Sequence, residues 1–121
     1  MDTNHTAGTV GGVQIPPTVN AQTGTTYMLT ATDNGGVVTL DNASPVVVTV
    51  PQASTEVLPE GFSTLLIAKG AGQVSVAKEG SDTILSEDSY TKLTKQGSQA
   101  AVLLIAAGSP NAYALAGSLA A

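Results

Sequence analysis

The stretch Val46-Val47-Val48-Thr49-Val50-Pro51 decides the fold of this chain. β-Branched side chains are stiff at χ1, crowd a helix and suit a pleated sheet. Four valines and one threonine in five positions therefore predict a strand. Pro51 has no N–H to donate, so the ladder is expected to stop there. On the other side the run is bounded by turn formers, Asp41-Asn42-Ala43-Ser44-Pro45. The period of two places Val46, Val48 and Val50 on a buried face, with Val47 on a less buried one.

The same punctuation extends outward. Upstream, Thr26 to Thr32 alternates around Tyr27, Leu29 and Ala31, the turn Asp33-Asn34-Gly35-Gly36 follows, and Val37 to Leu40 is a further run. Downstream come Thr64 to Ala68, the turn Gly70-Ala71-Gly72, Gln73 to Lys78, Thr83 to Leu85 and Thr91 to Lys95. Ala101 to Ala106 is apolar at every position, and Gly108-Ser109-Pro110-Asn111 turns into Tyr113 to Ala116. Short runs about ten residues apart, with almost no helical periodicity, predict an all-β fold. The expected form is a β-sandwich or jelly-roll-like barrel of about eight or nine short strands. A turn near residues 53–58 and the Ala-rich end are the only helical candidates.

Composition narrows the chemistry. The chain has 121 residues, four Lys, no Arg, nine acids and a net charge of −5. Nucleic-acid binding depends on neutralising phosphates, so this balance argues against it. Charged residues are only 11% and mean hydropathy is +0.21, which argues against a disordered chain. There is no cysteine, hence no disulfide, thiolate metal site or cysteine nucleophile, and the single histidine is His5. No His stands in the body of the chain to complete a triad, and no base is placed beside the many serines. The chain is read as not an enzyme, with no cofactor and no metal. No apolar run approaches a membrane span, and the N-terminus lacks a signal-peptide pattern, so a soluble protein made in the cytosol is expected.

Residues 1–25 differ from the rest. They are Gly, Thr, Asn and Gln with scattered Val, they hold Gly11-Gly12 and Pro16-Pro17, and they show no period. An extended N-terminal arm is expected over 1–25 and the β-domain over 26–121. Val10, Val13, Ile15, Pro16, Pro17 and Val19 are the arm's apolar groups of size and the candidates for contact with a partner, as an extended or polyproline segment.

Several short motifs, in order, carry a resemblance. They are Thr26-Tyr27-Met28-Leu29-Thr30 with Val37-Val38-Thr39-Leu40, then Ala43-Ser44-x-Val46-x-Val48-Thr49-Val50-Pro51, then Leu58-Pro59-x-Gly61-Phe62. Gly70-Ala71-Gly72-Gln73-Val74-Ser75-Val76, Thr83-Ile84, Ala101-Val102-Leu103-Leu104-Ile105 and Gly117-x-Leu119 complete the set. From residue 26 onward the chain resembles a small β-domain that recurs in virion proteins of tailed bacteriophages: head decoration or cement proteins, tail fibres and spikes. The family often has Trp in the final strand, where this chain has Ala112-Tyr113-Ala114. The domain is usually a module of a longer polypeptide, whereas this chain looks like a stand-alone product with a short arm.

That resemblance implies a structural virion protein: a capsid decoration (cement) protein on the outer surface of the phage head, made in the host bacterial cytoplasm. Its partners would be the major capsid protein and neighbouring copies of itself, commonly as a homotrimer, with no nucleic acid and no membrane. The alternatives are a host-recognition or adhesion module of a fibre or head fibre, and a tail or baseplate adaptor. Sugar sites usually need an aromatic platform, and only Tyr27, Phe62, Tyr90 and Tyr113 are available. For the oligomer interface the candidates are Phe62, Leu103 and Ile105. The last two lie opposite Val102 and Leu104, and a strand apolar on both faces needs cover on both sides. The acids Glu79, Asp82, Glu87 and Asp88 are read as a solvated loop, because their spacing matches no calcium loop.

Overall fold

The computed structural model describes residues 9, 10, 13, 14 and 18–121. Strands are numbered in chain order. β1 (Thr9–Val10) and β2 (Val13–Gln14) form an antiparallel pair of their own. The rest is an all-β sandwich of two sheets. The six-stranded sheet runs, edge to edge, β3 (Val19–Gln22), β5 (Val37–Leu40), β7 (Ser63–Ala68), β11 (Gln99–Ala106), β12 (Ala112–Gly117) and β9 (Thr83–Ser86). The five-stranded sheet runs β13 (Leu119–Ala120), β10 (Lys92–Leu93), β8 (Val74–Lys78), β6 (Val46–Val50) and β4 (Thr26–Met28).

The connectivity is a winding. From β3 to β8 the chain passes alternately between the two sheets, and each return adds a parallel neighbour: β3–β5–β7 in one layer, β4–β6–β8 in the other. The antiparallel pair β11–β12 then fills the gap between β7 and β9. Winding stacks the connecting corners along two edges of the sandwich. On one edge Gly72 N donates to Asn42 O at 2.7 Å, and Asn42 Nδ2 donates to Thr23 O at 2.8 Å. Gln96 Nε2 continues this line onto Lys69 O at 2.9 Å. On the other edge Ala31 N donates to Glu56 Oε2 at 2.9 Å, Ser63 N to Asn34 Oδ1 at 3.2 Å, and Gln52 N to Glu79 Oε1 at 3.0 Å.

The core lies between the sheets. Val46, Val48 and Val50 are buried and Val47 is half-buried, as the period of two requires. They meet Val38, Leu40 and Leu66 from the facing sheet in one cluster with Leu104 and Tyr113. The expected run over residues 26–32 is shorter: β4 ends at Met28, Leu29 is buried, and Ala31–Asp33 forms one 3-10 turn closed by the Asp33 carboxylate on Thr30 N at 3.0 Å.

Three expectations are corrected. The arm does not extend over 1–25, because Val19–Gln22 pairs in register with Val37–Leu40 and belongs to the sandwich. Phe62 is not on an oligomer surface: it is fully buried, because the turn from Pro59 ties Gly61 N to Leu104 O and Leu104 N to Phe62 O. The acidic segment is not wholly solvated: Asp82 is buried and accepts Asn111 N at 2.9 Å. Ile15, Pro16 and Pro17, and the side chains of Val10 and Val13, lie outside the described residues.

Candidate assembly surface

Strand alternation assigns the outer face of the six-stranded sheet. The inward set is Val38, Leu40, Leu66, Ala100, Val102, Leu104, Tyr113 and Leu115, all buried. Their neighbours along each strand must therefore point away from the core. Across the sheet one outward row reads Val19, Val37, Leu65, Ala101, Ala116. The next reads Ser63, Leu103, Ala114, Leu85. Ala21, Thr39, Ile67 and Gln99 form the row at one end, and Ile105, Ala112 and Thr83 the row at the other.

None of these positions carries a charge. Among the described residues, four of the five large hydrophobic side chains that are exposed lie on this face: Val19 at 68%, Leu85 at 68%, Ile105 at 43% and Leu103 at 39%. Isolated exposed apolar groups are ordinary, but a contiguous patch marks an interaction surface. The opposite outer face is mixed, with Thr26, Val47, Ser75 and Lys92 in one row. The apolar face is not flat. An open depression of about 210 Å³ lies between Gly35, Gly36, Ser63, Thr64, Leu65 and Ala101.

The sandwich brings together Val19, Leu103 and Ile105 from the sequence candidates and removes Phe62. Sequence reading missed Leu85 and the row Ala112, Ala114, Ala116. The signal was available: β12 alternates Ala with Tyr113 and Leu115, which is a small apolar outer face beside a large inner one.

Among the described residues, charged side chains sit at the corners and loops or on the opposite sheet, and the buried acids, Asp33 and Asp82, accept structural hydrogen bonds. Asp33 accepts Tyr27 Oη at 2.6 Å, Asn20 Nδ2 at 3.0 Å and Thr30 N at 3.0 Å. Burial, with the Asp33 carboxylate as acceptor and negative neighbour, pushes the Tyr27 hydroxyl up to about 12. It stays a neutral donor at physiological pH. Tyr113 Oη donates to Pro51 O at 2.6 Å, and burial with the charge of Asp82 pushes it up to about 12 as well. Asn111 Nδ2 reaches the same carbonyl at 3.3 Å. Asp82 Oδ2 and Ser86 Oγ are buried and find no hydrogen-bond partner among the described residues. Among the described residues no three His, Cys, Asp or Glu side chains converge to hold a metal ion, and no helix is long and apolar enough to cross a membrane. Compared with protein-family models, with curated proteins and with solved structures, the chain gives no match.

Proposed function

We propose that the chain is a structural virion protein that decorates the outer surface of a phage head and stabilises it. The observation that carries this reading is the uncharged outer sheet face, where Val19, Leu85, Leu103 and Ile105 are left in water by a fold whose buried acids are spent on holding its own corners. Such a face costs solubility unless something covers it. A lattice of identical subunits offers repeated cover, and each contact need add only a few kcal/mol because many copies act together. The N-terminal segment, with Val10, Val13, Ile15, Pro16 and Pro17, supplies the attachment to the major capsid protein. The motif order that resembles phage virion domains supports the same assignment.

The test is attachment. Heads lacking the protein are mixed with the intact chain or with a chain trimmed through Pro17, and bound copies are counted by gel densitometry. The expected result is saturable binding of the intact chain and at least a tenfold loss on trimming. Equal occupancy would remove the arm as anchor. Binding to host cells and not to heads would replace decoration with adhesion.

A further inference from the structure

We propose that the six-stranded sheet face is self-complementary and closes on a second copy of this chain about a two-fold axis. The inference rests on reading this face as an assembly surface and names its occupant. Its ground is the distribution of side-chain size over the face. β11 presents Leu103 and Ile105, while its neighbour β12 presents only Ala112, Ala114 and Ala116. Leu103 is paired directly with Ala114, Ala101 is paired with Ala116, and Ile105 lies at the bulge beside Ala112.

Take a two-fold axis in the plane of the interface, along the strands, midway between β11 and β12. It exchanges the two strands between copies and keeps position along them. Leu103 of each copy then lies over Ala114 of the other, Ile105 over Ala112, and Ala101 over Ala116. Large meets small at Leu103–Ala114 and at Ile105–Ala112, which is how facing side chains interdigitate, and Ala101 meets Ala116 as a close small–small contact. The same axis exchanges β7 with β9, since the order in the sheet is β7-β11-β12-β9. Leu85 therefore faces Ser63 of the partner copy, and Ser63 lines the depression. An isologous contact of this kind places residue i against j and j against i.

The charge distribution permits the same occupant. The chain carries −5 overall, and two copies repel unless the contact keeps their carboxylates apart. This face does so, with no charge on it, whereas an acidic or basic partner gains nothing from an uncharged surface. Four strands at about 4.8 Å spacing and some five residues at about 3.4 Å give a footprint of roughly 19 by 17 Å. That is below the ~800 Å² per partner of a standard interface, so the dimer dissociates on dilution. Val19 and β3 fall outside the footprint and stay free for another contact.

The test uses the intact chain. Sedimentation equilibrium is expected to show a monomer–dimer equilibrium, with Leu103→Glu weakening association at least tenfold while its circular dichroism stays native. Register is read with the double variant Ser63→Cys/Leu85→Cys and a short bis-maleimide; the chain has no other cysteine. Within one chain the two sites are three strands apart, roughly 14 Å, beyond a short linker. Between copies they face each other, so the double variant cross-links to a covalent dimer and each single variant does not. A monomer at all concentrations, a trimer, or a dimer that the double variant fails to cross-link overturns the proposal. Head binding is scored separately: a dimer that ignores heads refutes the capsid assignment and leaves this contact standing, and a head-binding monomer does the reverse.

Discussion

Gly72→Ala strikes the stacking of corners on which the winding depends. A Cβ at Gly72 would run into the Ser44 carbonyl far inside van der Waals contact and would meet Asn42 O at 2.7 Å. Both are backbone atoms of the preceding corner, so no side chain can swing away. The Gly72 N to Asn42 O hydrogen bond must lengthen or break. Overpacking costs about 1–3 kcal/mol and the lost hydrogen bond about 0.5–1.5 kcal/mol. Together they predict a loss of about 2–4 kcal/mol, a large part of the ~5–15 kcal/mol that holds a small domain. At roughly 4–8 °C per kcal/mol, melting falls by on the order of 10–30 °C. Gly24→Ala is the control, since a Cβ there meets only Thr26 O at 3.8 Å, an ordinary contact. It should be neutral or raise stability by up to about 1 kcal/mol, because it restricts the unfolded chain. Urea unfolding of both variants reads the difference. Gly72→Ala with a native midpoint would refute the close stacking of residues 41–45 on 69–73.

Val46→Asp, Val48→Asp and Val50→Asp each bury an unpaired carboxylate at several kcal/mol and should leave no folded protein, whereas Val47→Thr should cost less than about 1 kcal/mol; solubility and thermal melts decide. Tyr27 and Tyr113 ionise near 10 unfolded and near 12 folded, so the stability they contribute is complete below pH 10 and is lost as pH rises from 10 to 12. Chemical denaturation across that window should show the decline, and Tyr27→Phe with Tyr113→Phe should flatten it. Trimming through Pro17 should leave the melt unchanged, but trimming through Gln22 removes β3 and the Asn20 contacts to Tyr27 and Asp33 and should cost about 1–3 kcal/mol.

Much of the sandwich was legible because its strands announce themselves. The valines of β6 alternate correctly, and β11 is apolar on both faces in the sequence, with Leu103 and Ile105 left exposed on the outer one. What stayed hidden has identifiable causes. β3 reads as linker because its inward positions are Asn20 and Gln22, polar groups satisfied by Tyr27, Asp33 and each other. Phe62 follows the turn Pro59-Glu60-Gly61, which gave no sign of folding inward. Asp82 sits in an acidic run, and only the return of the chain at Asn111 makes a partner for it. Strand order is a property of the winding, and parallel neighbours some twenty-five residues apart leave no mark in local periodicity. For the same reason the candidate face was visible strand by strand but not as a surface, since Leu85 reaches it only through parallel pairing of β9 with β12.

The most direct measurement is the position of the protein in averaged images of intact particles, with antibody labelling of the chain. A repeated lattice of density and label over the head is the predicted result. Label confined to the tail or fibre tips, or particles that carry none, would contradict it.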